Sequence, residues 1–168
     1  MMKKASVILI AVMLLMLCAC GAEEPQPSEE PEIEAAYDKL YFASGDVKFG
    51  IFDDADSVIS ALGEPQGTFE ADSCAYQGKD YFYYYDGFEL TANDVDGKML
   101  ITGIRVSDDT VKTPQGIYIG MAVDEALELL DCEYEQSGEV YRVSEGSTVL
   151  LLNVGDDGTL SAIEYLPA

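Results

Sequence analysis

The 168-residue chain has 32 acidic side chains, nine lysines and arginines and no histidine, for a formal charge of −23 at pH 7. Without histidine, the chain cannot supply a Ser-His-Asp or Cys-His catalytic group or a His-ligated zinc site. The acidity argues against a nucleic-acid partner, because binding a phosphate backbone needs many lysines and arginines.

Met1-Met2-Lys3-Lys4 is a basic start, and Ala5 to Leu17 is an apolar run. That run is shorter than the roughly 20 residues of a permanent span. The pattern is that of a signal peptide over residues 1–19. It closes on Leu17-Cys18-Ala19-Cys20-Gly21, with Leu three residues before Cys20 and a small residue just before it. This resembles the lipobox of bacterial lipoproteins. Cys18 fits less well, because bulky Leu17 precedes it. The resemblance implies lipidation of the Cys20 sulfur, cleavage in front of it, and an extracytoplasmic protein anchored to a bacterial cell membrane. Two acyl chains make such an anchor stable where one would be marginal. Residues 20–36 carry six glutamates from Glu23 to Glu34, with Pro25, Pro27 and Pro31 among them. They cannot bury enough apolar surface to fold and read as a charged, extended tether.

Folded structure is expected to begin near Tyr37 to Phe42. A short apolar strand, Val47-Lys48-Phe49, precedes Gly50. Asp56 to Leu62 predicts a helix: Asp56 suits an N-cap, and Val58, Ile59 and Leu62 fall at helical spacing. Gly63 and Pro65 end it.

Asp80 to Val106 is the centre of the chain. Tyr, Phe, Ile, Val and Thr suit a pleated, half-buried surface. Asp86-Gly87 and Asp94-Val95-Asp96-Gly97 are turns between consecutive antiparallel strands. Strand alternation puts Tyr81, Tyr83 and Tyr85 on one face and Phe82 and Tyr84 on the other. The sequence leaves open which face meets the helices. The tyrosine row reads either as sheet packing or as a recognition surface, since Tyr combines large contact area with a polar tip. The second reading makes Tyr81, Tyr83 and Tyr85 the candidate partner-binding residues.

A second, similar run follows. Ile117-Tyr118-Ile119-Gly120 parallels Val47 to Gly50, and Asp124 to Leu130 aligns without gaps on Asp56 to Leu62. Val149 to Gly158 aligns on Phe88 to Gly97, and Leu160 to Tyr165 on Ile101 to Val106. An internal repeat of this size outweighs any single element. The expectation is an α+β fold of two tandem helix-plus-antiparallel-meander modules, 37–110 and 111–168, forming one sheet with helices on one face. Thr113 to Gly116 is the join.

Gly116-Ile117-Tyr118-Ile119-Gly120-Met121-Ala122-Val123-Asp124-Glu125-Ala126 and the meander after it resemble the tandem modules of β-lactamase-inhibitor-protein-like lipoproteins, related in fold to the SmpA/OmlA lipoproteins. Ser73-Cys74-Ala75-Tyr76, Gly78 and Tyr83-Tyr84-Tyr85 are similar to the first module of small bacterial lipoproteins of unassigned function. The resemblance covers about residues 45–168 and implies a non-enzymatic binding scaffold whose open sheet face meets another protein. Asp131-Cys132 departs from the pattern, standing where the first module has Gly63-Glu64.

Cys74 and Cys132 remain after Cys20, either as a disulfide or as two small buried side chains. Neither lies in a Cys-x-x-Cys motif, and no phosphate-binding glycine loop is present. Asn93 to Gly97 has part of a calcium-loop pattern, but Ala92 and Gly103 stand where that loop needs acidic ligands, so a hairpin turn explains it. Asp53, Asp54 and Asp56 read as a solvated helix start stabilised by negative charge. No metal, cofactor or enzymatic activity is expected. The sequence thus predicts a lipid-anchored binding or scaffold protein with an unidentified protein partner. The alternative is a small-ligand or cation-binding lipoprotein serving a transporter or sensor. A two-carboxylate hydrolase ranks third.

Overall fold

A computed structural model describes residues 40–168. The signal peptide expected over residues 1–19, Cys20 and the tether expected over residues 20–36 lie outside the described residues. The elements in chain order are β1 (Phe42–Ser44), β2 (Val47–Phe49), α1 (Ala55–Leu62), β3 (Gly67–Asp72), β4 (Lys79–Tyr84), β5 (Phe88–Val95), β6 (Lys98–Val106), α2 (Val123–Leu130), β7 (Glu135–Ser137), β8 (Val140–Glu145), β9 (Thr148–Val154) and β10 (Leu160–Pro167).

β1 and β2 form a two-stranded antiparallel ribbon. The other eight strands form one antiparallel sheet in the order β3-β4-β5-β6-β10-β9-β8-β7. β3 to β6 pair consecutively, as do β7 to β10. The two runs meet where β6 pairs with β10, through Val106 opposite Ile163, Arg105 opposite Glu164 and Ile104 opposite Tyr165.

The expected α+β class is therefore corrected. Strand accounts for 48% of the described structure and helix for 12%, so the fold is mostly β. A single eight-stranded sheet over one core cluster takes the place of two α/β modules. Much of the difference is strand in polar stretches. Gly67–Asp72 and Glu135–Ser137 are largely exposed, while Val140–Glu145 alternates, burying Val143 and exposing Arg142 and Ser144. They pair because the neighbouring strand offers a free edge, and tertiary context outweighs their weak intrinsic preference. Ile117 to Ile119, expected as a strand, is irregular. It is held by Thr113 N–H donating to Ile117 O at 2.8 Å and Ile117 N–H donating to Thr113 Oγ1 at 3.2 Å.

Helix starts also differ from expectation: Asp56, read as a cap, and the aligned Asp124 both lie in the first turn of their helices. Asp54 caps α1, accepting from Ser57 N–H at 2.9 Å and Ser57 Oγ–H at 2.6 Å, which holds its carboxyl below the ordinary range. Ala122 is the N-cap of α2 and supplies no side-chain bond. Each helix has eight residues, too short to stand without packing. Backbone bridges fix where they begin. Phe52 N–H donates to Ile101 O at 2.7 Å and Ile101 N–H to Asp53 O at 2.9 Å; Gly120 N–H donates to Leu160 O and Leu160 N–H to Met121 O, both at 2.8 Å.

The core forms on one sheet face. Ala55 and Val58 of α1 and Ala126 and Leu130 of α2 join Leu90, Ile104, Leu150, Leu152 and Ile163 in one buried cluster. The β1–β2 ribbon adds Phe42 and Phe49. Their rings lie 5.1 and 6.3 Å from Phe88, and Phe42 lies 5.9 Å from Tyr165. Burying each such side chain contributes about 1.5–3 kcal/mol. Burial of Tyr165 pushes its hydroxyl pKa far up, so it stays protonated.

Candidate interaction face

Because side chains alternate along a strand, the core assigns both faces of the sheet. Tyr83 stands opposite Leu90, and Tyr81 opposite Ala92. Leu90 and Ala92 are fully buried in the core. Tyr81 and Tyr83 therefore point to the face covered by the helices and ribbon. Tyr83 and Tyr85 pack against the core. Tyr85 stacks on Phe88 with centroids 5.1 Å apart, and its hydroxyl donates to Gly63 O at 3.2 Å. Desolvation, then the nearby Asp56 charge, raises the Tyr83 pKa, which places Tyr83 beside α1. The three tyrosines chosen from the sequence thus sit on the packed side, Tyr83 and Tyr85 against the core cluster and Tyr81 outside it.

The opposite face carries the other parity. Phe82 lies opposite Phe69 and Tyr84 opposite Gly67. Phe69 and Phe82 stack at 6.0 Å. Phe69 is 58% and Tyr84 37% exposed, so this aromatic patch lies open at the β3 end of the sheet. Sequence reasoning had placed Phe82 and Tyr84 together but did not single them out, and Phe69 fell outside its strands. The signal that would have found them is parity: Phe88, Leu90 and Ala92 make an apolar alternation that fixes the inward side of the neighbouring strand.

Beside the patch, a charged row crosses the sheet centre. Tyr84, Glu89, Arg105 and Glu164 stand opposite one another on β4, β5, β6 and β10. Arg105 Nε lies 3.6 Å from Glu164 Oε1. Glu89 has a raised pKa, chiefly from desolvation; Arg105 works against the shift and Glu164 with it. The two glutamates flank an arginine on an open face and do not face each other across a cleft. Toward the next turn, Asn93 is buried and donates to Lys79 O at 3.1 Å and Asp80 Oδ1 at 2.5 Å, while Thr102 Oγ1–H donates to Asn93 Oδ1 at 2.5 Å.

The residues weighed for cations are used structurally. Asp94 Oδ1 accepts from Gly97 N–H at 2.7 Å and closes the hairpin turn. Asp53 Oδ2 accepts from Gly50 N–H at 2.8 Å, and Asp54 caps α1. Among the described residues no group of three or more His, Cys, Asp or Glu is placed to hold a metal ion. Cys74 and Cys132 are both free. This corrects the disulfide alternative: Cys74 lies in the β3–β4 connection at one end of the strand order, and Cys132 follows α2 just before β7 at the other. Cys132 is partly buried against the core, its Sγ 3.1 Å from Leu130 O; Cys74 is exposed. Two concavities among the described residues are open to solvent and not enclosed. One of about 410 Å³ is lined by Leu40, Tyr41, Pro114 and Leu129 to Cys132, and another of about 450 Å³ by Ala75 to Gln77 and Asp94 to Gly97. No helix among the described residues is long and apolar enough to cross a membrane.

No family model and no curated protein matches the chain. Among solved structures it is similar to an extracellular protein containing an SCP domain from Bacillus anthracis str. Ames, with a TM-score of 0.54 and 15% identity. The match covers 78% of this chain and 50% of that one, so the chain spans about half the length of its neighbour. At this identity, what the two share is a fold.

Proposed function

We propose that the protein is a lipid-anchored extracytoplasmic binding or scaffold protein that engages a protein partner through the face of its sheet opposite the helices. The observation that carries this reading is the stacked, exposed Phe69–Phe82 pair with Tyr84, on a face toward which the helices and ribbon turn no buried side chain. Aromatic side chains are costly to leave in water and are enriched where proteins meet. The sequence resemblance to β-lactamase-inhibitor-protein-like lipoproteins supports a non-enzymatic binder. The lipobox resemblance at Cys20 supports the anchor, and the extracellular setting of the structural neighbour agrees with the address.

Two measurements test it. Mass spectrometry of membrane-fraction protein should find an acylated Cys20 at the mature N-terminus; an unmodified Cys20 there sinks the anchor. Crosslinking in intact cells should capture a partner with the native chain and lose it with Phe69→Ser/Tyr84→Ser. A partner retained by that variant, or none captured by either, refutes the face. The small-ligand alternative has less support, because these concavities are open to solvent and do not enclose a cavity.

A further inference from the structure

Among the described residues β3 is an outer strand of the sheet, paired on one side only, with β4. Along it, every second residue directs its backbone N–H and C=O away from β4, where they remain available to another chain. The strand runs six residues, Gly67 to Asp72, with no proline and no lysine to block pairing. β7, at the other edge, has three.

The side chains of β3 divide by face. Gly67, Phe69 and Ala71 lie with the aromatic patch; Thr68, Glu70 and Asp72 lie on the reverse. Phe69 is the most exposed large hydrophobic side chain among the described residues, at the border where an added strand would cover it. On the reverse side Lys79 pairs with Glu70 and stands opposite Asp72. One cation is thus shared by two carboxylates, and a negative charge is left over. From residue 40 onward the chain has 25 acids against six lysines and arginines, so a second copy would bring like charge to this edge.

Resting on the open-face reading above, we infer that β3 is a docking edge for an extended segment of the protein partner in which apolar residues alternate with lysine or arginine. The segment adds as a ninth strand. Its apolar side chains cover Phe69 and Ala71, and its basic ones meet Glu70 and Asp72. Backbone pairing holds it, and the alternation sets which strands fit.

The test uses the full chain in a neutral detergent and a capped peptide of about ten residues alternating valine and lysine. Two controls replace lysine by glutamate or sort the same residues into an all-valine and an all-lysine block. Binding is read by anisotropy of the labelled peptide and located by amide hydrogen exchange. The alternating basic peptide should bind and slow exchange within Gly67 to Asp72. Phe69→Ser and Glu70→Lys should each weaken it about tenfold, Glu70→Gln less, and Glu135→Lys on the other edge should leave it unchanged.

Equal binding of either control peptide, protection elsewhere, or no binding overturns the inference. So does a dimer in sedimentation that Phe69→Ser dissociates, since a second copy then occupies the edge. The two readings fail separately: a cellular partner lost with Tyr84→Ser but kept with Glu70→Lys leaves the face standing and removes the edge.

Discussion

Replacing Gly87 with alanine tests how the segment after β6 lies on the β4–β5 turn. Gly87 has φ +79°, and a Cβ there would stand 2.2 Å from Val111 Cγ2 and 2.9 Å from Thr110 Oγ1. Gly97, in the next hairpin, has φ +81° with nothing within 4 Å. The backbone cost of alanine at positive φ is shared by both sites, about 1–2 kcal/mol. Only Gly87 adds a collision, since carbon atoms prefer a separation of about 3.5–4.0 Å. Residues 110 and 111 must shift, at a cost of about 1–3 kcal/mol by analogy with overpacked cores. Ser107 N–H donates to Gly87 O at 2.8 Å, so the shift also pulls on that bond. Gly97→Ala should therefore lose about 1–2 kcal/mol and Gly87→Ala about 2–5 kcal/mol. Urea unfolding followed by circular dichroism measures both, provided the slopes agree with the native protein's. Losses within about 0.5 kcal/mol of each other would refute the packing of Thr110 and Val111 on this turn, because the φ cost alone would then account for both.

Five substitutions probe other parts of the structure. Ala122→Ser gives α2 the side-chain cap it lacks and should raise stability by about 0.5–1 kcal/mol in the same assay; no gain would mean that the start of α2 is placed wrongly. Tyr85→Ala removes the stack on Phe88 and the bond to Gly63, and should cost about 1–3 kcal/mol, while Phe69→Ser stays within about 0.5 kcal/mol of native; the reverse order would show that the faces are misassigned. Glu89 should titrate above its ordinary 4.5 by carboxyl NMR, and Arg105→Ala should raise it further. A carboxyl with a raised folded pKa binds its proton more tightly when folded, so Glu89 removes stability as pH climbs past about 4.5, and Glu89→Gln should flatten that decline.

The elements rich in Val, Ile, Leu, Tyr and Phe were legible in the sequence. Gly87 and Gly97 turn their hairpins, and Gly63 at φ +85° ends α1. The edge strands β3 and β7, and β8 beside β7, were not legible. Glu135-Gln136-Ser137 carries no apolar periodicity and becomes strand only because β8 lies beside it. Missing β3, β7 and β8 led to the α+β reading of a mostly β chain. The candidate site turned on the same gap. Choosing between the Tyr83 and Tyr84 faces needs Phe88, Leu90 and Ala92 to be counted as buried, which is a property of the whole sheet. The caps failed for a local reason: with Asp53, Asp54 and Asp56 close together, composition does not say which carboxylate reaches the Ser57 amide.

The seam between β6 and β10 has a consequence for how the chain comes to be assembled. Every other pairing in the sheet joins neighbours in sequence, whereas this one brings Arg105 to Glu164. β10 is the last strand in chain order, yet it occupies the middle of the sheet. As the chain emerges N-terminus first, it can complete β3 to β6 while the long edge of β6, with Ile104 and Val106, still waits for its partner. Until residues 160–167 emerge, that edge is open to wrong pairing, so factors that shield nascent strands should matter most in that interval.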